Sequence, residues 1–133
     1  MCIRDSANVS FLGNPLRNQI LEAVPQNYET PDDRIDLLIV GGSLGARILS
    51  EVLPKAIINL PDTLKSQLNI VQQVTESHLE QAREIYAGAS ITAHCETFFG
   101  DIETHLAKAH YIIARAGASS VSEIALMLSL IHI

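Results

Sequence analysis

Two stretches of this chain put glycines, hydroxyls and one carboxylate where a phosphate-bearing ligand is usually held. They are Gly41-Gly42-Ser43-Leu44-Gly45-Ala46 and Arg115-Ala116-Gly117-Ala118-Ser119-Ser120-Val121-Ser122-Glu123. Each follows an apolar run, Ile35–Val40 or Tyr111–Ala114, that reads as a buried strand, and each opens a helix. Free backbone N–H groups and the helix dipole favour negative charge at such a point, so two of them facing one crevice make an anion site. A nucleotide diphosphate is the natural occupant.

The first turn lacks the G-x-G-x-x-G spacing of dinucleotide-binding folds, and no Gly-Lys-Ser/Thr follows it to form a P-loop. Redox and ATPase chemistry lose support accordingly. Gly42 and Gly45 permit close backbone approach, and Ser43 offers its hydroxyl to a phosphate oxygen or to the helix as a cap. In the second turn, Ser120 and Glu123 match the capping box, in which the Ser hydroxyl takes one amide and the Glu reaches back to another. The alternative is that Glu123 accepts both hydroxyls of a ribose, since a carboxylate has two oxygens for paired donors. Arg17 follows the turn Gly13-Asn14-Pro15 and is either a phosphate contact or an ordinary surface arginine. His94, Cys95 and Glu96 are adjacent, which on a strand sends His94 and Glu96 to one face and Cys95 to the other. Their spacing matches no zinc pattern, and no metal is assigned. His78, His105 and His110 read as solvated surface residues.

The elements that must position these groups alternate regularly. Arg17–Val24 is a short helix, and Pro25–Arg34 a polar connector. Leu37-Leu38-Ile39-Val40 has the unalternated apolar pattern of a strand covered on both faces. A helix over 44–59 follows, with Pro54 expected to kink or break it. Leu68–Val74 is a strand, Ser77–Ala87 a helix that Ser77 caps with Glu80 three residues on. Ile91–Cys95, a helix over Asp101–Ala109, the strand Tyr111–Ala114 and a helix from Ser120 complete the order β-α-β-α-β-α-β-α. This pattern is an α/β fold with a parallel sheet and alternating helices.

Of 133 residues, 9 are Lys or Arg and 15 Asp or Glu, a formal charge of −6. That balance argues against nucleic acid as the main partner, because phosphate backbones are bound by clustered cations. The longest apolar runs are strand-sized, far short of the roughly 20 residues that span a bilayer. The two ends stand apart. A coding string for Met1–Ser6, reverse-complemented, encodes Leu-Ser-Leu-Ile-His and then Ile or Met, and the chain ends Leu128-Ser129-Leu130-Ile131-His132-Ile133. One DNA segment inverted at both ends resembles the mosaic end attached by transposase-based library preparation. Residues 1–6 and 128–133 are therefore expected to be foreign, with 7–34 a lead-in and 35–127 a partial ligand-binding domain. Without Cys2, Cys95 stands alone and no intrachain disulfide forms, which fits a reducing compartment.

Read in order, Gly13-Asn14-Pro15-Leu16-Arg17, Gly41-Gly42-Ser43-Leu44-Gly45-Ala46-Arg47 and Ala114–Glu123 resemble the MurG-type UDP-N-acetylglucosamine transferases of peptidoglycan synthesis. The resemblance implies the Rossmann-like, donor-binding half of a two-domain GT-B enzyme. That enzyme moves N-acetylglucosamine from UDP-N-acetylglucosamine to undecaprenyl-pyrophosphoryl-muramoyl-pentapeptide, by direct displacement with inversion, as a peripheral protein on the cytoplasmic face of the membrane. Carried over by position, Arg17 and Ser43 are expected near the diphosphate. Ala118, Ser119, Ser120, Val121 and Ser122 would supply amides and a wall, Glu123 would take the ribose hydroxyls, and the backbone of Phe99 would pair with the uracil edge. The family often has Gln at the place of Leu44 and Thr at that of Ser120. No cofactor is implied, and no catalytic residue is expected within this chain, because the acceptor-binding domain lies outside it. Without that domain the chain is expected not to catalyse. The rival readings are another GT-B nucleotide-sugar transferase and a non-catalytic nucleotide-binding module.

Overall fold

Four parallel strands form one sheet in the order β3-β2-β1-β4, in a computed structural model that describes residues 13–25, 30–42 and 47–127. The strands are β1 (Ile35–Val40), β2 (Leu68–Gln73), β3 (Thr92–Glu96) and β4 (Tyr111–Ala114). The helices are α1 (Asn18–Glu22), α2 (Arg47–Ile57), α3 (Asp62–Lys65), α4 (Leu79–Gly88), α5 (Ile102–Lys108) and α6 (Ala118–Met127), with a 3-10 turn over Glu76–His78. The expected parallel α/β order is thus present. The flanks Met1–Ser6 and Leu128–Ile133, and Ser43–Ala46 of the first turn, lie outside the described residues.

The central strand explains its own sequence. β1 pairs with β2 on one side and β4 on the other, with Leu38 opposite Val71 and Ile112. Its two faces meet different cores. Ile39 joins Ile70, Cys95, Ile57, Ala82 and Tyr86 under α2 and α4. Leu38 joins Ile20, Leu106, Ala109 and Met127 under α1, α5 and α6. A strand covered on both faces must be apolar at consecutive positions, which is why Leu37–Val40 does not alternate.

Local expectations differ from the structure at four places. α2 continues across Pro54 without a break; the proline is fully buried, and its packing offsets the lost N–H. Ser77 caps no helix, since its hydroxyl meets Nδ1 of His78 at 2.9 Å and α4 starts after His78. α3 lies between the expected helix over 44–59 and the expected strand from Leu68, where no element was assigned; Asp62 sits in its first turn and Lys65 in its last, paired at 2.7 Å. α6 begins at Ala118 rather than Ser120, with Gly117 O accepting the amide of Val121 at 2.9 Å.

Two amides at the end of β2 do most to fix the sheet's carboxyl edge. Gln72 is fully buried: its Oε1 accepts from the Tyr86 hydroxyl, and its Nε2 donates to Leu49 O at 3.1 Å. Gln73, on the opposite face, has its own pair of backbone partners. Nearby, the Ser50 hydroxyl accepts from Thr75 N at 3.0 Å, tying α2 to the segment after β2.

Candidate functional site

In a parallel sheet every strand points its carboxyl end to the same edge, so the turns after β1, β3 and β4 lie together there. Gly42 has φ +81°, a left-handed conformation that glycine adopts without steric cost, and Gly41 N donates to Gln73 Oε1 at 3.2 Å. After β3 the chain runs through Thr97-Phe98-Phe99-Gly100, and after β4 through Arg115-Ala116-Gly117 into α6.

The lead-in segment closes on the start of α6. Asn14 Nδ2 donates to Ala118 O and to Ser122 Oγ, each at 2.9 Å. Ser122 Oγ in turn donates to Ala118 O at 3.0 Å. Arg17 Nε and Nη2 reach Glu123 Oε1 and Oε2 at 2.9 and 3.0 Å, a bidentate pair across 106 positions of sequence. Arg17 is half-exposed, whereas Glu123 is only 13% exposed. The hydrogen bond to Glu123 holds the Arg17 guanidinium even further above the range in which it would lose its proton. Two residues singled out separately are therefore one unit. The capping-box alternative for Ser120 and Glu123 does not hold: both oxygens of Glu123 face Arg17, a stronger, charged donor pair than a helix amide.

The remaining candidates divide by location. Ala118, Ser119 and Val121 are exposed on the first turn of α6, and Ser120 is half-buried. Ser43 lies outside the described residues. Phe99 turns its ring inward, 7% exposed, edge-on to His105 at 5.0 Å and to His94 at 5.5 Å, while its neighbour Phe98 is 76% exposed. The backbone of this segment is thereby anchored by one side chain while the other projects to solvent.

The histidines correct a reading from local position alone. His105 is half-buried on its helix beside Phe99, with Nε2 3.6 Å from Asp101 Oδ1. Asp36 N donates to His110 Nδ1 at 2.9 Å, so that ring joins β1 to the start of β4. His78 is half-buried, its Nδ1 also 2.9 Å from the Thr75 hydroxyl. The strand β3 does alternate as expected. Cys95 is buried in the core under α4, and His94 lies beside Glu96 on the other face at 3.5 Å. Burial pushes the Cys95 thiol up to about 11. Among the described residues no helix is long and apolar enough to cross a membrane.

Sequence reasoning missed Asn14, Gln72 and Gln73. The signal was present: two polar amides end an apolar strand next to a turn, a pattern that exposes neither side chain if both faces are covered.

The sequence profile of the glycosyltransferase family 28 C-terminal domain matches residues 36–131. A protein of Maricaulis maris (strain MCS10), named UDP-N-acetylglucosamine--N-acetylmuramyl-(pentapeptide) pyrophosphoryl-undecaprenol N-acetylglucosamine transferase, is 50% identical over 115 residues, which are 85% of this chain and 31% of that protein. One of the same name from Methylobacterium sp. (strain 4-46) is 42% identical over 127 residues, 93% of this chain and 34% of the relative. The chain spans about a third of the length of the curated relatives it matches. The crystal structure of MurG from Acinetobacter baumannii superposes with a TM-score of 0.63 at 37% identity, covering 74% of this chain and 29% of that one. The sheet is thus the Rossmann-like part of a GT-B architecture. With the family's profile over residues 36–131 and a MurG structure matching 74% of its length, the chain belongs to the glycosyltransferase family 28 C-terminal domain.

Proposed function

We propose that this chain is the donor-binding part of a transferase that moves N-acetylglucosamine from UDP-N-acetylglucosamine to a lipid-linked muramoyl-pentapeptide. The observation that carries this reading is the joining of Arg17 to Glu123 at the start of α6, on the sheet edge where the turns after β1 and β3 also emerge. The names of the relatives supply the donor and the acceptor.

In this reading the uracil edge pairs with the backbone at Phe99, and Glu123 accepts the ribose hydroxyls. Ala118 to Ser122 form the wall and offer amides, while Arg17 and Ser43 lie beside the diphosphate. Helix amino ends stabilise the charge that grows on UDP as the acceptor hydroxyl attacks the anomeric carbon and inverts it. The acceptor hydroxyl's proton and the lipid are handled by the domain outside residues 7–127, which also places the whole enzyme on the cytoplasmic face of the membrane as a peripheral protein.

Calorimetric titration of the 133-residue chain tests the proposal. UDP and UDP-N-acetylglucosamine should bind one to one, with UMP about tenfold weaker because one phosphate is missing from a charge-assisted site. Sugar transfer to the lipid-linked acceptor should be undetectable. A folded chain that ignores UDP refutes donor binding, and transfer by the chain alone refutes the division of labour.

A further inference from the structure

Gln73 occupies a place in the sheet that its own strand does not require. β2 lies between β1 and β3, so the turns leaving those two strands stand roughly 10 Å apart, two strand spacings. Val40 and Glu96 are the last residues of β1 and β3, and beyond them the regular ladder stops. The Gln73 carboxamide supplies one more rung. Its Oε1 accepts from Gly41 N at 3.2 Å, and its Nε2 donates to Thr97 O at 3.2 Å. A carboxamide carries an acceptor and a donor fixed in one plane. Glutamate would keep the first contact and lose the second, and leucine would lose both.

We propose that Gln73 is a positioning residue that sets the span between Gly41-Gly42 after β1 and the Thr97–Gly100 turn after β3, so that one ligand can engage both. The inference rests on reading this edge as the site of a nucleoside diphosphate, and assigns the base to one turn and the phosphates to the other. A base and a diphosphate joined through one ribose have a nearly fixed separation. They gain from being joined only if the two turns hold the matching distance, since the second contact is then intramolecular. The role concerns the linkage between two half-sites, and neither half by itself.

The test is an NMR titration of the whole 133-residue chain with UDP, with uridine and with inorganic pyrophosphate, each separately. In Gln73→Leu, UDP affinity should fall about tenfold, as expected for two neutral hydrogen bonds. The affinities for uridine and for pyrophosphate should stay within about twofold, because each turn still exists. Gln73→Glu should show the same selective loss while the Gly41 amide stays protected from hydrogen exchange; Gln73→Leu should lose that protection. If Gln73→Leu does not fold, Gln73→Glu carries the test, since it keeps the shape and the contact to Gly41. Unchanged UDP affinity in the variants overturns the proposal. So does a parallel loss of all three ligands in Gln73→Glu, which would mark a purely structural role. A wild-type chain that binds no UDP overturns the nucleotide reading and the span with it, an outcome distinct from variants that bind UDP as well as wild type does.

Discussion

Removing Arg17 and Glu123 singly and together should give an asymmetric cycle. The two side chains meet through a pair of nearly parallel N–H···O contacts at 2.9 and 3.0 Å, but their surroundings differ: 51% of Arg17 remains exposed against 13% of Glu123. Arg17→Ala strands a largely covered carboxylate and should cost about 2 kcal/mol, the scale of an unsatisfied buried polar group. Glu123→Ala releases an arginine into water and should cost about 1 kcal/mol, the upper end for exposed pairs. With a coupling of about 1 kcal/mol, the double variant should be no less stable than Arg17→Ala alone. Urea unfolding at pH 7, followed by circular dichroism, measures all three. Strict additivity, or a larger cost for Glu123→Ala, would refute the reasoning. The same variants address the ligand. A carboxylate offers about four lone-pair positions, of which the arginine fork takes two, so two remain for ribose hydroxyls while the pair stays intact. Arg17 would then orient Glu123. The ratio of UDP to 2′-deoxy-UDP affinity isolates the ribose contact, because both ligands carry one diphosphate. It should fall toward one in Arg17→Ala as well as in Glu123→Ala; an unchanged ratio in Arg17→Ala sinks the orienting role.

Three further outcomes follow from the cores. Gln72→Leu leaves the Tyr86 hydroxyl and Leu49 O without the amide, and should cost about 2–4 kcal/mol in urea unfolding; adding Tyr86→Phe should recover part of it. Ile20→Ala opens the core that holds α1 to the sheet and should cost about 2–5 kcal/mol by the same assay, with hydrogen exchange rising first in Asn18–Glu22. The Cys95 thiol is raised by burial from 9.0 to about 11, so the unfolded chain loses this proton more readily than the folded one. Its contribution is complete below pH 9 and is lost as pH rises toward 11, on the order of 2 kcal/mol. The urea midpoint should therefore drop over that window, and Cys95→Ala should flatten the drop.

What the sequence made legible was whatever depends on near neighbours. The strands of the central sheet announced themselves because double coverage leaves no polar alternation in Leu37–Val40, and Cys95 fell on the buried face because strand residues alternate. The start of α6 was misread for the opposite reason. Ser120 and Glu123 have capping-box spacing, but the charged fork of Arg17, folded back from 106 residues away, outcompetes a helix amide for that carboxylate. His105 and His110 were assigned to solvent on the same local grounds, while packing against Phe99 and a bond from the Asp36 amide leave each half-buried. Of the candidate site, the turn at α6 was readable from its small residues and acid. Asn14 and Gln73 went unnoticed, since their partners, Ala118 O and Ser122 Oγ for one and Gly41 N and Thr97 O for the other, are far off in sequence and brought near only by the fold.

The strand order sets a sequence of events in time. β1 pairs Leu37 with Ile70 and also with Tyr111, closures of 33 and 74 residues. The longer closure costs about 0.7 kcal/mol more chain entropy, and β4 offers only four residues in return. The half made by β1, β2 and β3 should therefore assemble before β4 arrives, and pulse-labelled hydrogen exchange should show its amides protected first. The reciprocal bonds between Asp36 and His110 are where the late strand latches. Since α6 travels with β4, Glu123 reaches Arg17 only at this last step, so the chain acquires its complete carboxyl edge when it finishes folding and not before.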